Sequence, residues 1–152
     1  MAGKARTGSG ARADWRLGQL IKRADQLLAS QKAEVLRQYE LTVPQYSTLL
    51  ALSSATDMTG AQLARASAVT PQTMAGILGN LEEKGLIGRT PSDLHPKVLV
   101  TTLTRSGKAL VRKADAEVQA VEDRLASAFD EREGIELRAL LERAVGALSG
   151  PR

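Results

Sequence analysis

Between residues 59 and 104 the chain reads TGAQLARASAVTPQTMAGILGNLEEKGLIGRTPSDLHPKVLVTTLT, and this stretch restricts the fold more than any other. Its clearest element is a helix over about 71–84. Thr70 is placed to cap the N-terminus by accepting a backbone N–H bond, and Pro71 suits the first helical position, where its missing N–H has no intrahelical partner to lose. Met74, Ile77, Leu78 and Leu81 then recur at helical spacing, so one face is expected to be buried. Gly85, directly after Glu82, Glu83 and Lys84, suits a left-handed C-terminal cap.

A shorter helix precedes it, capped by Thr59, with Leu63 and Ala64 facing inward. Ala66, Ser67 and Ala68 are small enough for a tight turn, and Val69 anchors the second helix. Two helices in this order form a helix-turn-helix: the first braces, and the second offers the outward residues of its N-terminal half to a DNA groove. Thr70, Gln72, Thr73, Gly76 and Asn80 are the candidates for that surface, with Arg65 of the bracing helix beside them. Residues 86–90 and 98–103 read as two strands around TPSDLHPK, whose prolines and Asp93 favour a loop. The hairpin is a wing, which carries His95 and Lys97 toward the DNA backbone or minor groove, with Arg89 in its first strand.

In these residues the chain resembles the MarR-type transcriptional regulators. The similarity spans roughly residues 41–110, from LTVPQYSTLLAL through the helix-turn-helix to LTRSGKAL, with opening helix, helix-turn-helix, wing and the Leu103-Thr104 helix start in the family's order. The resemblance implies a mainly α (α+β) fold and a homodimeric repressor or activator. Such a regulator binds a palindromic operator in double-stranded DNA and is often released by a small aromatic or phenolic ligand. Two departures stand out. Where the family commonly has Asp-x-Arg at the wing tip, this chain has His95-Pro96-Lys97, which keeps a charge and loses the planar fork of arginine. Where many members carry arginines on the recognition helix, it has Gly76 and Asn80, so bidentate arginine readout of guanine is not available from those positions.

The flanks are helical. Residues 14–40 carry an apolar stripe of Leu17, Leu20, Ile21, Ala24, Leu27 and Leu28, with Asp14 able to cap the start. Thr42 caps and Pro44 opens the next helix, which buries Tyr46, Leu49, Leu50 and Leu52. Beyond the wing, Thr104 caps a long helix that tolerates Gly107 and spaces Val111, Ala114, Val118, Val121, Leu125 and Ala128 in threes and fours. The pattern breaks near residues 130–134, and a last helix carries Ile135, Leu137, Leu140, Leu141, Val145 and Leu148. These terminal helices are too apolar for a lone winged helix. Residues 14–40 and 105–150 are therefore expected to form a dimerisation region around a DNA-binding lobe at 41–104, giving a homodimer. For the ligand, the candidates are Trp15, Arg16, Arg23, Tyr39 and Tyr46, which together offer aromatic walls, cations and hydroxyl donors.

Composition narrows the chemistry further. The chain has no cysteine and one histidine among its 152 residues, which removes thiol redox sensing, disulfides and sites built on several imidazoles; no metal or cofactor is expected. The net charge of +4 owes much to Lys4, Arg6 and Arg12, in a tail at residues 1–13 whose composition favours disorder. No apolar run approaches a membrane span and the N-terminus lacks a signal core, so a cytoplasmic location is expected. Neither a nucleophile with its base nor a phosphate-binding glycine loop is present to suggest an enzyme. The alternative is a winged helix turned to protein partners, which Gly76, Asn80 and the altered wing tip would suit.

Overall fold

The computed structural model describes residues 16–150; Asp14, Trp15 and the basic tail lie outside the described residues. Six helices and three short strands follow one another. Helix α1 spans Leu17–Leu36 and passes through a single 3₁₀ turn, Arg37–Tyr39, into α2, Val43–Ser54. Strand β1, Met58–Thr59, leads into α3, Gly60–Ala66, and α4, Pro71–Glu83. Strands β2, Ile87–Pro91, and β3, Leu99–Leu103, form the wing; α5, Arg105–Ala126, and α6, Glu131–Leu148, complete the chain.

Capping side chains set most of these boundaries. Thr42 and Thr59 each accept from the backbone N–H three residues on, while Gln45 and Gln62 reach back to the capping N–H, two complete capping boxes. Thr70 accepts from Thr73 at 3.1 Å, Thr104 from Gly107 at 3.0 Å and Asp130 from Glu133 at 2.8 Å. Each such cap contributes about 1 kcal/mol, enough to fix where short helices begin. At the other end of α4, Gly85 takes the left-handed conformation expected of it, φ 69°. The tight turn between α3 and α4 places Ala68 at φ 51°, a conformation an L-residue adopts at some cost.

The sheet is antiparallel in the order β1-β3-β2, with Met58 opposite Thr101 on one side of β3 and Ile87 opposite Leu103 on the other. Strand β1 is absent from the sequence reading, because two residues show no alternation to detect. The core joins Leu36, Tyr46, Leu49, Leu52, Leu63, Met74, Leu78 and Leu81 to Val111, Ala114 and Val118 of α5. Thus the anticipated inward faces of α2, α3 and α4 are buried or half-buried, and that of α5 is buried from Val111 to Val121, while Leu125 is exposed and Ala128 lies exposed beyond the helix.

Several expectations need correction. The helical flank expected over residues 14–40 becomes 3₁₀ at Arg37, and Glu40 turns the chain at φ 54°. The break expected at residues 130–134 comes earlier: α5 ends at Ala126, and Asp130 is already the cap of α6, with Gly134 inside that helix. Gly107 is required rather than tolerated. A Cβ there would lie 2.0 Å from the Leu86 carbonyl oxygen, so α5 passes against the start of β2 only because this residue has no side chain. Thr104 fastens the same joint, its hydroxyl donating to Gly85 O at 2.7 Å and its N–H to Leu86 O at 3.1 Å.

The stripe on α1 is exposed, with Leu17 at 76% and Leu27 at 59%. Helix α6 buries none of its residues, leaving Ile135, Leu140, Leu141 and Val145 open to solvent. Among the described residues, no helix is long and apolar enough to cross a membrane.

Candidate nucleic-acid interface

Helix α4 sorts its side chains cleanly. Met74, Leu78 and Leu81 are buried and Ile77 is half-buried, which fixes the rotation of the helix about its axis. The same rotation leaves Gln72, Thr73, Gly76 and Asn80 exposed. The core therefore aims the helix and turns these four residues outward. Thr70 is exposed but engaged: its hydroxyl accepts from the Thr73 N–H and lies 2.9 Å from the Thr73 hydroxyl. The first turn contains no acidic residue, so the helix dipole presents its positive end to any phosphate unopposed. Arg65 is exposed in the last turn of α3.

The wing projects from this lobe. Burial falls along β2 from Ile87 to Pro91 and rises again along β3 from Leu99 to Thr101, so the outer half of the hairpin stands in water. His95 and Lys97 are exposed at its tip. Arg89 sits lower and half-buried, with its Nη1 3.8 Å from Glu82 Oε2 at the end of α4. It ties wing to helix, and its buried Nε finds no partner.

One protomer does not bring the ligand candidates together. Arg16 and Arg23 are exposed on the first half of α1, whereas Tyr39 lies beyond its end, about 30 Å from Arg16 along a twenty-residue helix. Trp15 is outside the described residues. Tyr39 donates to Lys113 O at 3.4 Å. Tyr46 is buried and donates to Asp115 Oδ1 at 2.6 Å; burial and the Asp115 carboxylate push its phenol well above the usual tyrosine range.

A cleft of about 400 Å³ opens instead between α2, β3 and α5. Leu50, Leu103 and Val111 line it with apolar surface, Ser53 and Thr56 with hydroxyls, and Lys108, Arg112 and Asp115 with charge. Asp115 accepts from Tyr46 at its inner side and keeps its charge, so the cleft carries two cations against one carboxylate. Neither Lys108 nor Arg112 is singled out from the sequence. The available signal is the spacing of Lys108, Arg112 and Asp115, which places them on one face of α5.

Comparison with known proteins adds the following. The sequence pattern of the MarR family matches residues 39–95. The HTH-type transcriptional repressor Rv2887 of Mycobacterium tuberculosis is 33% identical over 127 residues, covering 84% of this chain and 91% of that protein. A crystal structure of Rv2887 with p-aminosalicylic acid superposes with a TM-score of 0.68 at 32% identity, over 85% of this chain and 98% of that one. The S. aureus MepR–DNA complex superposes at 0.83 with 25% identity, over 88% and 98%. With its helix-turn-helix, its wing and this extent of similarity to a known repressor, the chain belongs to the MarR family.

Proposed function

We propose that the protein is a transcriptional repressor that binds a palindromic operator as a homodimer and is released by a small aromatic carboxylic acid or phenol. The observation that carries this reading is α4, whose buried face locks its orientation while Gln72, Thr73 and Asn80 stay exposed at the surface. The similarity to Rv2887, a repressor, supports it, as does the likeness to MepR, whose structure contains DNA. Residues 41–104 act as the DNA-binding lobe, and residues 14–40 and 105–150 as the dimerisation arm. The exposed apolar faces of α1 and α6 are the surfaces such an arm buries. Two recognition helices related by a two-fold axis then meet major-groove faces about 10 bp apart, or a near multiple of that spacing.

Rv2887 has been crystallised with salicylic and p-aminosalicylic acids, and the cleft between α2 and α5 suits that chemistry. Apolar walls take a ring, while Lys108 and Arg112 attract a carboxylate. The cleft also lies on the joint between lobe and arm. Lys108 and Arg112 follow Gly107 on α5, and Gly107 and Thr104 are fastened to the Gly85-Leu86 turn that ends α4. A ligand that shifts α5 against α2 therefore shifts the recognition helix, and it lowers DNA affinity in proportion to its preference for the displaced arrangement.

The test is a gel-shift titration on the DNA upstream of the protein's own gene, with excess non-specific competitor at two salt concentrations. Competitor-resistant binding, reversed by salicylate in the wild type and not in Arg112→Ala, is the expected result. If DNA is bound and Arg112→Ala responds to salicylate as the wild type does, the cleft is not the effector site. Binding lost to competitor on this DNA and on duplexes selected from random sequence argues against the repressor reading.

A further inference from the structure

The wing ends on leucine. Leu94 is 84% exposed, an extreme value for a large apolar side chain within an ordered turn. The hairpin holds it there. Ser92 N–H donates to Val98 O at 2.7 Å, Val98 N–H to His95 O at 2.8 Å and Leu94 N–H to Ser92 Oγ at 3.3 Å. Pro91 and Pro96 restrict the backbone on either side. The tip therefore cannot readily fold back to cover its leucine, and the partly exposed Val98 and Leu99 extend the apolar surface down β3.

Charge indicates what covers it. His95 and Lys97 flank Leu94 on the same tip, opposed by Asp93, while Arg89 is drawn down toward Glu82. An apolar knob beside a lysine and an imidazole that can donate matches a DNA minor groove, where base steps and sugar walls receive apolar groups and phosphates line the rims.

We infer that Leu94 is a wedge that enters the operator's minor groove and partially unstacks one base step, while Lys97 meets the adjoining phosphate. This rests on the DNA-binding reading above. It also gives the wing a means of discrimination without arginine. Pyrimidine–purine steps unstack most readily, so Leu94 selects for such a step at a position that no side-chain hydrogen bond reads.

The experiment uses the full-length chain on the tightest duplex selected from random DNA, with 2-aminopurine placed at each step beneath the wing in turn. Wild-type protein is expected to raise the fluorescence at one step. Leu94→Ala should lose that rise and bind about 5- to 30-fold more weakly, with an unchanged salt slope. Leu94→Met, which keeps the apolar bulk, should restore most of both. Replacing the step by a stiff A-tract should weaken the wild type and leave Leu94→Ala indifferent, an outcome that a merely structural leucine does not produce. If Leu94→Ala matches the wild type in affinity and fluorescence, the wedge is overturned and the repressor reading stands. If the selection yields no DNA that the wild type binds, both fall.

Discussion

At the scale of single residues, two positions join the DNA-binding lobe to the long helix α5, and both give measurable consequences. Gly→Ala in a helix ordinarily stabilises by about 0.5–1 kcal/mol. At Gly107 the sign should reverse, because the added Cβ meets the Leu86 carbonyl oxygen at 2.0 Å and backbone cannot swing aside as a side chain does. Gly107→Ala is expected to cost about 3 kcal/mol, lowering the melting temperature by on the order of 10 °C. A variant as stable as the wild type would show that the joint has slack. The second position is Tyr46, whose phenol stays neutral in the fold because it is buried and donates to Asp115. Its folded pKa lies above the unfolded value of about 10, so its contribution is complete below pH 10 and fades as pH rises beyond it. Tyr46→Phe should cost about 1 kcal/mol at pH 7, and the gap from the wild type should narrow when chemical denaturation is repeated near pH 11. A gap that stays constant across that range would mean that the fold does not hold the Tyr46 phenol above its usual range.

At the scale of elements, what was legible in the sequence is what local chemistry decides. Thr59, Thr70 and Thr104 mark helix starts because the first N–H groups have no intrahelical acceptor and a hydroxyl supplies one, and Gly85 marks an end because glycine takes φ 69° without the strain of a side chain. Tertiary approach leaves no such mark: β1 is two residues long, and the demand on Gly107 comes from a carbonyl twenty-one positions earlier. The effector site is of the same kind. A wall of a cleft is defined by its neighbours, and Tyr46 proves to be bonded to Asp115 while Lys108 and Arg112 face the space between α2 and α5. Helix and wing should separate in a DNA-binding assay, since one reads bases and the other meets phosphate. Gln72→Ala is expected to lose about 1–3 kcal/mol on the operator and nothing on random DNA. Lys97→Ala should weaken both alike and reduce the salt slope by about one. Equal loss on both DNAs for Gln72→Ala would remove it from base readout.

At the scale of the whole molecule, the unpaired helical stripes lie on α1 and α6. Leu17, Leu20, Ile21 and Leu27 on α1 and Ile135, Leu140, Leu141 and Val145 on α6 are each more than a third exposed, although their spacing is that of buried helix faces. Continuous apolar stripes of this kind are rarely left in water, and a second copy of the chain supplies matching ones about a two-fold axis. Within one protomer α6 contributes no buried residue, so its order depends on that second copy. Leu140→Glu with Leu141→Glu should therefore convert a sedimenting dimer into a monomer without disturbing the lobe, whose core contains neither residue. A monomer holds one half-site at a time and forfeits the gain in effective concentration that links two recognition helices. The variant should then bind a single half-site as the wild type does, and lose about a hundredfold or more on the full palindrome. Equal affinity of variant and wild type for the palindrome would mean that each lobe acts alone. In that case a shift of α5 could not work by changing the distance between recognition helices, and release would have to arise within one protomer, through the Thr104–Gly85 joint itself.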